Sequence, residues 1–268
     1  MENLIKGFKE NKAFRITSLL VLLLILITVL APVIAPYNPL EAVMRDANAA
    51  PSAAHLFGTD KLGRDVLSRI LYGASYSLAS VLFLVFLIFV VGTFLGVIAG
   101  YFGGIVDTVI MRFADMMISF PGVILAIAIA GILGGSLVNA MIAMLCVTWT
   151  KYARLSRSMV LKIKKRDFVD AAIVSGGSSA HILWVHILPN ILPLMVITAA
   201  ADIGAMMMEL AGSQPPAPEW GLMLNEGRQQ LQTAPWLMIF PGLAIFITVV
   251  VFNLWGDSLR DVLDPRQD

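Results

Sequence analysis

No Asp, Glu, Lys or Arg occurs in residues 16–40, 70–106, 116–150, 171–201 or 229–256. Each stretch can hold the roughly 20 mostly apolar residues of a membrane-spanning helix. Inside lipid every backbone N–H and C=O must find its partner within the protein, and a helix satisfies nearly all of them along its own length. That demand constrains the fold more tightly than any local motif. Composition agrees: 58% of residues are hydrophobic and 14% charged, against about 45–50% and about 25% in soluble domains. Mean hydropathy is +0.83. The fold class expected is all-α and polytopic, and a soluble globular enzyme is excluded. A net charge of +1 gives no electrostatic footprint for nucleic acid.

Six spans are expected, near 16–35, 75–100, 107–133 with a break at Pro121, 137–155, 188–211 and 235–256. The first run is long for a signal sequence and lacks a convincing cleavage site, so it reads as a retained helix. Cations set the direction. Lys6, Lys9, Lys12 and Arg15 precede the first span. Lys151, Arg154, Arg157, Lys162, Lys164, Lys165 and Arg166 cluster at and beyond the fourth, and Arg260 and Arg266 follow the sixth. Both termini are therefore expected in the cytoplasm, together with the segment 157–186. Two long outer loops result, 36–74 and 212–234. The first is expected to end in a separate short helix around Arg64 to Tyr72. In the second, adjacent prolines are expected to exclude helix from Gln214 to Gly221, and Trp220, Leu222 and Met223 could cap a pore or pack on the bundle.

The cytoplasmic segment is unusual. Phe168 to Ser175 can form two helical turns, with Ala171, Ala172, Ser175 and Gly176 making a face of almost no bulk. Gly176 and Gly177 break the helix. Ser178 is a good N-cap for a second short helix over 179–187, and Pro189 and Pro193 suit the first turns of the next span. The result is a helix, a glycine corner, a helix and a membrane span: a lever with a low-profile face.

Ionisable groups inside spans are costly and usually functional. Asp202 sits well within the fifth span, Glu209 seven residues on, with Met206 between them. These three are candidates for a substrate pathway. Arg112 and Asp115 share a helix face, which predicts a local ion pair. His181 and His186 are spaced i, i+5, poor for one metal, and His55 lies far away in the outer loop. Cys146 reads as a small buried residue. No Gly-rich Lys motif for nucleotide phosphates occurs, and no catalytic constellation, resident metal site or cofactor site is expected on this chain.

Asp170-Ala171-Ala172, then Gly176, then Ile187-Leu188-Pro189 resembles the coupling-helix signature of bacterial ABC-importer permeases, with Asp in place of the usual Glu. The stretch from Leu56 to Arg69, residues 98–104, Gln214 to Gly221, and Phe252 to Pro265 resemble the dipeptide, oligopeptide and nickel branch. The single N-terminal span followed by a long loop is like the C-type permease of the pair. Ala114 to Pro121, Trp149 to Arg157 and Ala201 to Gly212 lean toward the nickel-type permease, with peptide cargo as the alternative. The connection between Gly212 and Gln214 is several residues shorter than the family pattern.

The resemblance implies a type I importer permease with six spans. Residues 1–74 would form an N-terminal helix and outer loop, and residues 75–268 a permease core with a coupling helix near 166–187. It implies ATPase coupling through Asp170, Ala171, Ala172, Gly176, Ile187, Leu188 and Pro189, with ATP and Mg held by partner ATPases. It further implies a second permease subunit, two ATPase subunits, an extracytoplasmic substrate-binding protein, and residence in the bacterial inner membrane among lipid.

Overall fold

The computed structural model describes residues 7–210 and 217–263. The shortened connection after Gly212 lies outside them. Among the described residues the regular elements are helical: α1 (Lys12–Ile34), α2 (Val66–Phe102), α3 (Gly104–Ile118), α4 (Gly122–Leu133), α5 (Leu137–Ile163), α6 (Asp167–Val174), α7 (Ser179–Glu209), α8 (Trp220–Arg228) and α9 (Trp236–Leu263). The fold is all-α, as the apolar runs demand.

Four of these helices, α1, α2, α7 and α9, are long and apolar enough to cross a membrane. The pair α3 and α4 makes a fifth if counted as one span, but it bends by 91° at the break. Pro121 supplies that break, because it lacks an N–H and its ring clashes with the preceding turn. The sixth expected span, α5, has 27 residues, about 40 Å of helix. Its length suffices, but Lys151, Arg154 and Arg157 make its second half polar, so the count of six stands unconfirmed.

Two expected boundaries are corrected. The short helix near Arg64 is not separate: α2 runs unbroken for 37 residues. Asp65 caps it, accepting from Ser68 N at 2.8 Å, and no proline interrupts it. The second cytoplasmic helix is not separate either. Ser178 caps it as expected, but it flows into α7 through a π-helical segment, Ile182–Ile187. Here Leu188 N–H bonds to Leu183 O, five residues back. Pro189 explains the widened turn, since its ring would collide with the carbonyl four residues earlier in a regular helix.

The bundle is knit around α2 and α5. Gly92, Gly96 and Gly100 form a stripe along α2. A Cβ on Gly92 would lie 2.5 Å from Trp149 O and from Tyr152 Cβ. On Gly96 it would strike Ser156 Oγ and the Ala153 carbonyl, and on Gly100 it would come within 2.9 Å of Val160 Cβ. Small residues at four-residue spacing let two backbones close on each other where lipid gives no hydrophobic drive to association. At the other side α1 leans on α9 through Thr17 and Ser258, whose hydroxyls are 2.8 Å apart.

Cys146, expected to be buried, is exposed on α5. A helix flanked by lipid or by another subunit turns small apolar residues outward at no cost.

Candidate functional site

Two features frame the molecule, one at each end and a cavity between. The elbow end holds α6 and the start of α7. Asp170, Ala171 and Gly176 are exposed, Ala172 is half-buried and Val169 fully buried. One face of α6 therefore packs on the bundle while the other faces outward. Gly176 takes φ +82°, and a Cβ there would meet nothing within 4 Å. Its requirement is conformational: left-handed backbone suits glycine. Ile187 is fully buried, Leu188 half-buried and Pro189 exposed. Ile187 thus anchors the elbow instead of presenting a surface. Three large apolar side chains of α6, Phe168, Ile173 and Val174, are 44%, 47% and 88% exposed, beside the exposed carboxylates of Asp167 and Asp170.

His181 and His186 do come together, with ring centroids 5.8 Å apart. A regular helix would splay an i, i+5 pair; the wider π turn aligns them. Among the described residues no group of three or more His, Cys, Asp or Glu is placed to hold a metal ion.

The cavity, of about 650 Å³, lies between α4, α5 and α7. All three pathway candidates, Asp202, Met206 and Glu209, line it. Asp202 is nearly buried, and its two oxygens are each engaged: Lys151 Nζ donates to Oδ1 at 2.6 Å, and Tyr152 OH donates to Oδ2 at 2.9 Å. Charge counting groups Lys151 with the cytoplasmic cations; its ammonium lies on the cavity wall, 55% exposed. The remaining wall is apolar or small, including Ala126, Ala130, Gly131 and Met144. Val123 and Ile127 on it are 54% and 67% exposed, so one side of the cavity is open to the surface of the single chain. Met208, in contrast, points away and is 68% exposed.

The predicted Arg112–Asp115 pair is not formed. Asp115 is 3.6 Å from Arg154 of α5, and Asp107 bonds Arg157, also of α5. The acidic side chains of α3 serve the α3–α5 contact rather than their own helix.

The opposite end, the loop end, carries a buried ion cluster that sequence reading missed. Asp60 accepts from Arg64 Nε at 2.6 Å and from Arg69 Nη1. Glu226 of α8 lies 3.7–3.8 Å from both guanidinium groups and 3.3 Å from Lys61. Burial alone would raise the Asp60 carboxyl, but Arg69, Arg64 and the backbone N–H groups of Arg64 and Leu62 overcome it and hold it below the usual range. Trp220 is buried and bolted down, Nε1 to Ile70 O at 2.8 Å and N to Ser77 Oγ at 3.1 Å. It packs on the bundle, and the irregular stretch expected to reach Gly221 ends earlier: α8 is a regular helix from Trp220, because the Glu219 carboxylate caps it by accepting from Gly221 N and Leu222 N. The charge alternation from Asp60 to Arg69 could have signalled this cluster; its partner Glu226 could not be paired from spacing.

A polytopic helical bundle with a low-profile elbow and a half-open cavity is the architecture of a membrane permease. The family described as binding-protein-dependent transport system inner membrane component matches residues 92–268. The N-terminal transmembrane domain of oligopeptide transport permease C matches residues 3–51. The chain belongs to this family of inner-membrane permease components.

Its relatives include a dipeptide transport system permease of Alkalihalophilus pseudofirmus, 45% identical over 81% of this chain and 73% of the relative. A glutathione transport system permease of Pectobacterium atrosepticum is 43% identical over 82% and 75%. A nickel transport system permease of Escherichia coli is 39% identical over 94% of each. These place the chain in the dipeptide, oligopeptide and nickel branch. They give the nickel lean no specific support, since peptide and glutathione permeases are at least as similar. The family acts in ABC importers as a multi-pass transport subunit without a cofactor of its own.

Proposed function

We propose that this chain is one permease half of an ATP-driven importer and that α6, with the Gly176 corner, is where an ATPase subunit docks. The supporting observation is three exposed apolar side chains, Phe168, Ile173 and Val174, on a short element preceded by Lys162, Lys164, Lys165 and Arg166. By the positive-inside rule those cations put the elbow, and both termini, in the cytoplasm. An apolar patch facing water marks a protein contact. ATP and Mg reside on the two ATPase subunits. Their closure pushes on Asp170, Ala171, Ala172 and Gly176, and the buried Ile187, with Leu188 and Pro189, passes the displacement into α7.

The cavity wall of α7, with Asp202, Met206 and Glu209, is the solute passage. A second permease covers its open side, over Val123 and Ile127. An extracytoplasmic binding protein delivers cargo to the loop end, between residues 36–65 and α8. Conduction needs contacts weak enough to release, which a few dispersed carboxylates supply. For cargo, the relatives named for dipeptide and glutathione favour a short peptide; nickel or a nickel chelate is the second reading, carried by the stretches around Asp115, Lys151 and Asp202.

Co-purification from membranes tests the docking. ATPase chains should accompany the wild type and be lost with Gly176→Asp or Ala172→Arg; retention in both variants contradicts it. Uptake of labelled dipeptide and of nickel by cells lacking the gene tests the cargo, and a defect confined to nickel would overturn the peptide reading.

A further inference from the structure

We infer that Lys151 is a cargo-gripping residue: its ammonium, paired with Asp202 on the cavity wall, takes up a carboxylate of the travelling solute. This rests on the cavity being the passage. It makes the cargo a carboxylate-bearing molecule, either a short peptide or a metal ion chelated by carboxylates, and not a bare divalent cation.

Lys151 is the one cation on the cavity wall among the described residues. Its position is asymmetric with respect to its partner. Asp202 is held in place, nearly buried and bonded by Tyr152 OH as well. Lys151 is more than half exposed, on a flexible stem with three donors. It can keep one hydrogen bond to Asp202 while offering another to a solute. A fixed anion behind a mobile cation forms a two-step grip: the solute's carboxylate is bound by charge-assisted hydrogen bonding, and Asp202 reclaims the ammonium on release. The passage is never left with an uncompensated buried charge.

The other end of the wall fits the same cargo. Glu209 is exposed and lies seven residues beyond Asp202 on α7, about 10 Å along the axis. An extended tripeptide spans about 10 Å. A peptide lying along α7 can therefore set its carboxylate at Lys151 and its ammonium at Glu209. A bare divalent cation would meet repulsion from Lys151 midway.

The bland alternative is that Lys151 only neutralises Asp202. A double variant separates the two. The assembled importer with its binding protein is reconstituted in proteoliposomes, and ATP-dependent uptake is measured for four probes: a labelled tripeptide, the same tripeptide amidated at its C-terminus, nickel with citrate, and nickel as the hexaaqua ion.

Lys151→Gln should lower uptake of a carboxylate probe about tenfold or more, the scale of one lost charge-assisted hydrogen bond, and Lys151→Arg should retain most of it. The charge-free pair Lys151→Met with Asp202→Asn removes the unpaired carboxylate, yet should remain as slow as Lys151→Gln. Recovery of uptake in the double variant overturns the inference, as does wild-type transport of the amidated peptide or hexaaqua nickel at the rate of its carboxylate counterpart. Dependence on Lys151 for the tripeptide alone, or for nickel citrate alone, identifies the source of the carboxylate. If the unmutated importer moves no probe with ATP, the passage reading itself fails, and the inference with it.

Discussion

Arg157 of α5 grips Asp107 of α3 with two parallel hydrogen bonds, Nε to Oδ1 and Nη2 to Oδ2, both 2.5 Å. The planar guanidinium matches the carboxylate in a way that an ammonium cannot. The pair is partly exposed, so its contribution to total stability is modest, about 1 kcal/mol or less. Its effect is local. Arg157→Lys should leave the thermal midpoint nearly unchanged while hydrogen exchange in α3 quickens; unchanged protection of 104–118 would show that α3 is held by its apolar contacts alone.

The glycine stripe makes a sharper claim. Gly96→Ala places a methyl group on Ser156 Oγ and the Ala153 carbonyl, and backbone cannot retreat as a side chain can. Overpacking of this kind costs about 1–3 kcal/mol. Gly131→Ala on α4 is the control, because nothing lies within 4 Å of the added carbon; there a helical glycine gives way to alanine with a gain of about 0.5–1 kcal/mol. Thermal unfolding in detergent should move the two variants in opposite directions.

Asp60 gives the loop end a pH dependence of definite sign. Its carboxyl is held below its ordinary value in the folded protein, so the folded state binds fewer protons than the unfolded one. The stabilisation is fully present above the unfolded value, near pH 4, and is lost as pH falls through the lower folded value. Arg69→Gln removes the leading opposing charge and leaves burial dominant, moving the transition to higher pH. Trp236 reports it, since its Nε1 donates to Thr59 O at 3.2 Å. Its fluorescence should change only in strong acid for the wild type, and at milder pH for the variant.

Gly176 separates conformation from space. With φ +82° and open surroundings, Gly176→Ala should cost about 1–2 kcal/mol of backbone strain, and Gly176→Asn less, because Asn tolerates the left-handed region. Uptake should follow the order Gly, Asn, Ala. Equal activity of all three would mean the corner does not need this backbone shape.

Much of this was legible in the residues. Apolar runs are long, and lipid permits them little but helix, so α1, α7 and α9 fall near their expected places. Asp202, Met206 and Glu209 could be grouped because helical spacing puts them along one face. What escaped was set by contacts between distant segments. Glu226 completes a cluster begun at Asp60, which no spacing reveals. Lys151 counts as one more cation near a span end, and its bond to Asp202 on another helix cannot be read from that count. Cys146 was misplaced because the rule that apolar means buried reverses on a lipid- or subunit-facing helix. The π turn at Ile182–Ile187 follows from Pro189, but proline at the first turn of a span also allows an ordinary start.

The most direct test of the central claim is site-specific photo-crosslinking from Val174, which is 88% exposed on the elbow, using an unnatural aromatic residue in the assembled importer. The account predicts a crosslink to an ATPase subunit whose yield changes between nucleotide-free and ATP-bound states. A crosslink formed only from the extracytoplasmic side, or none to a nucleotide-hydrolysing chain while the importer is active, would contradict it.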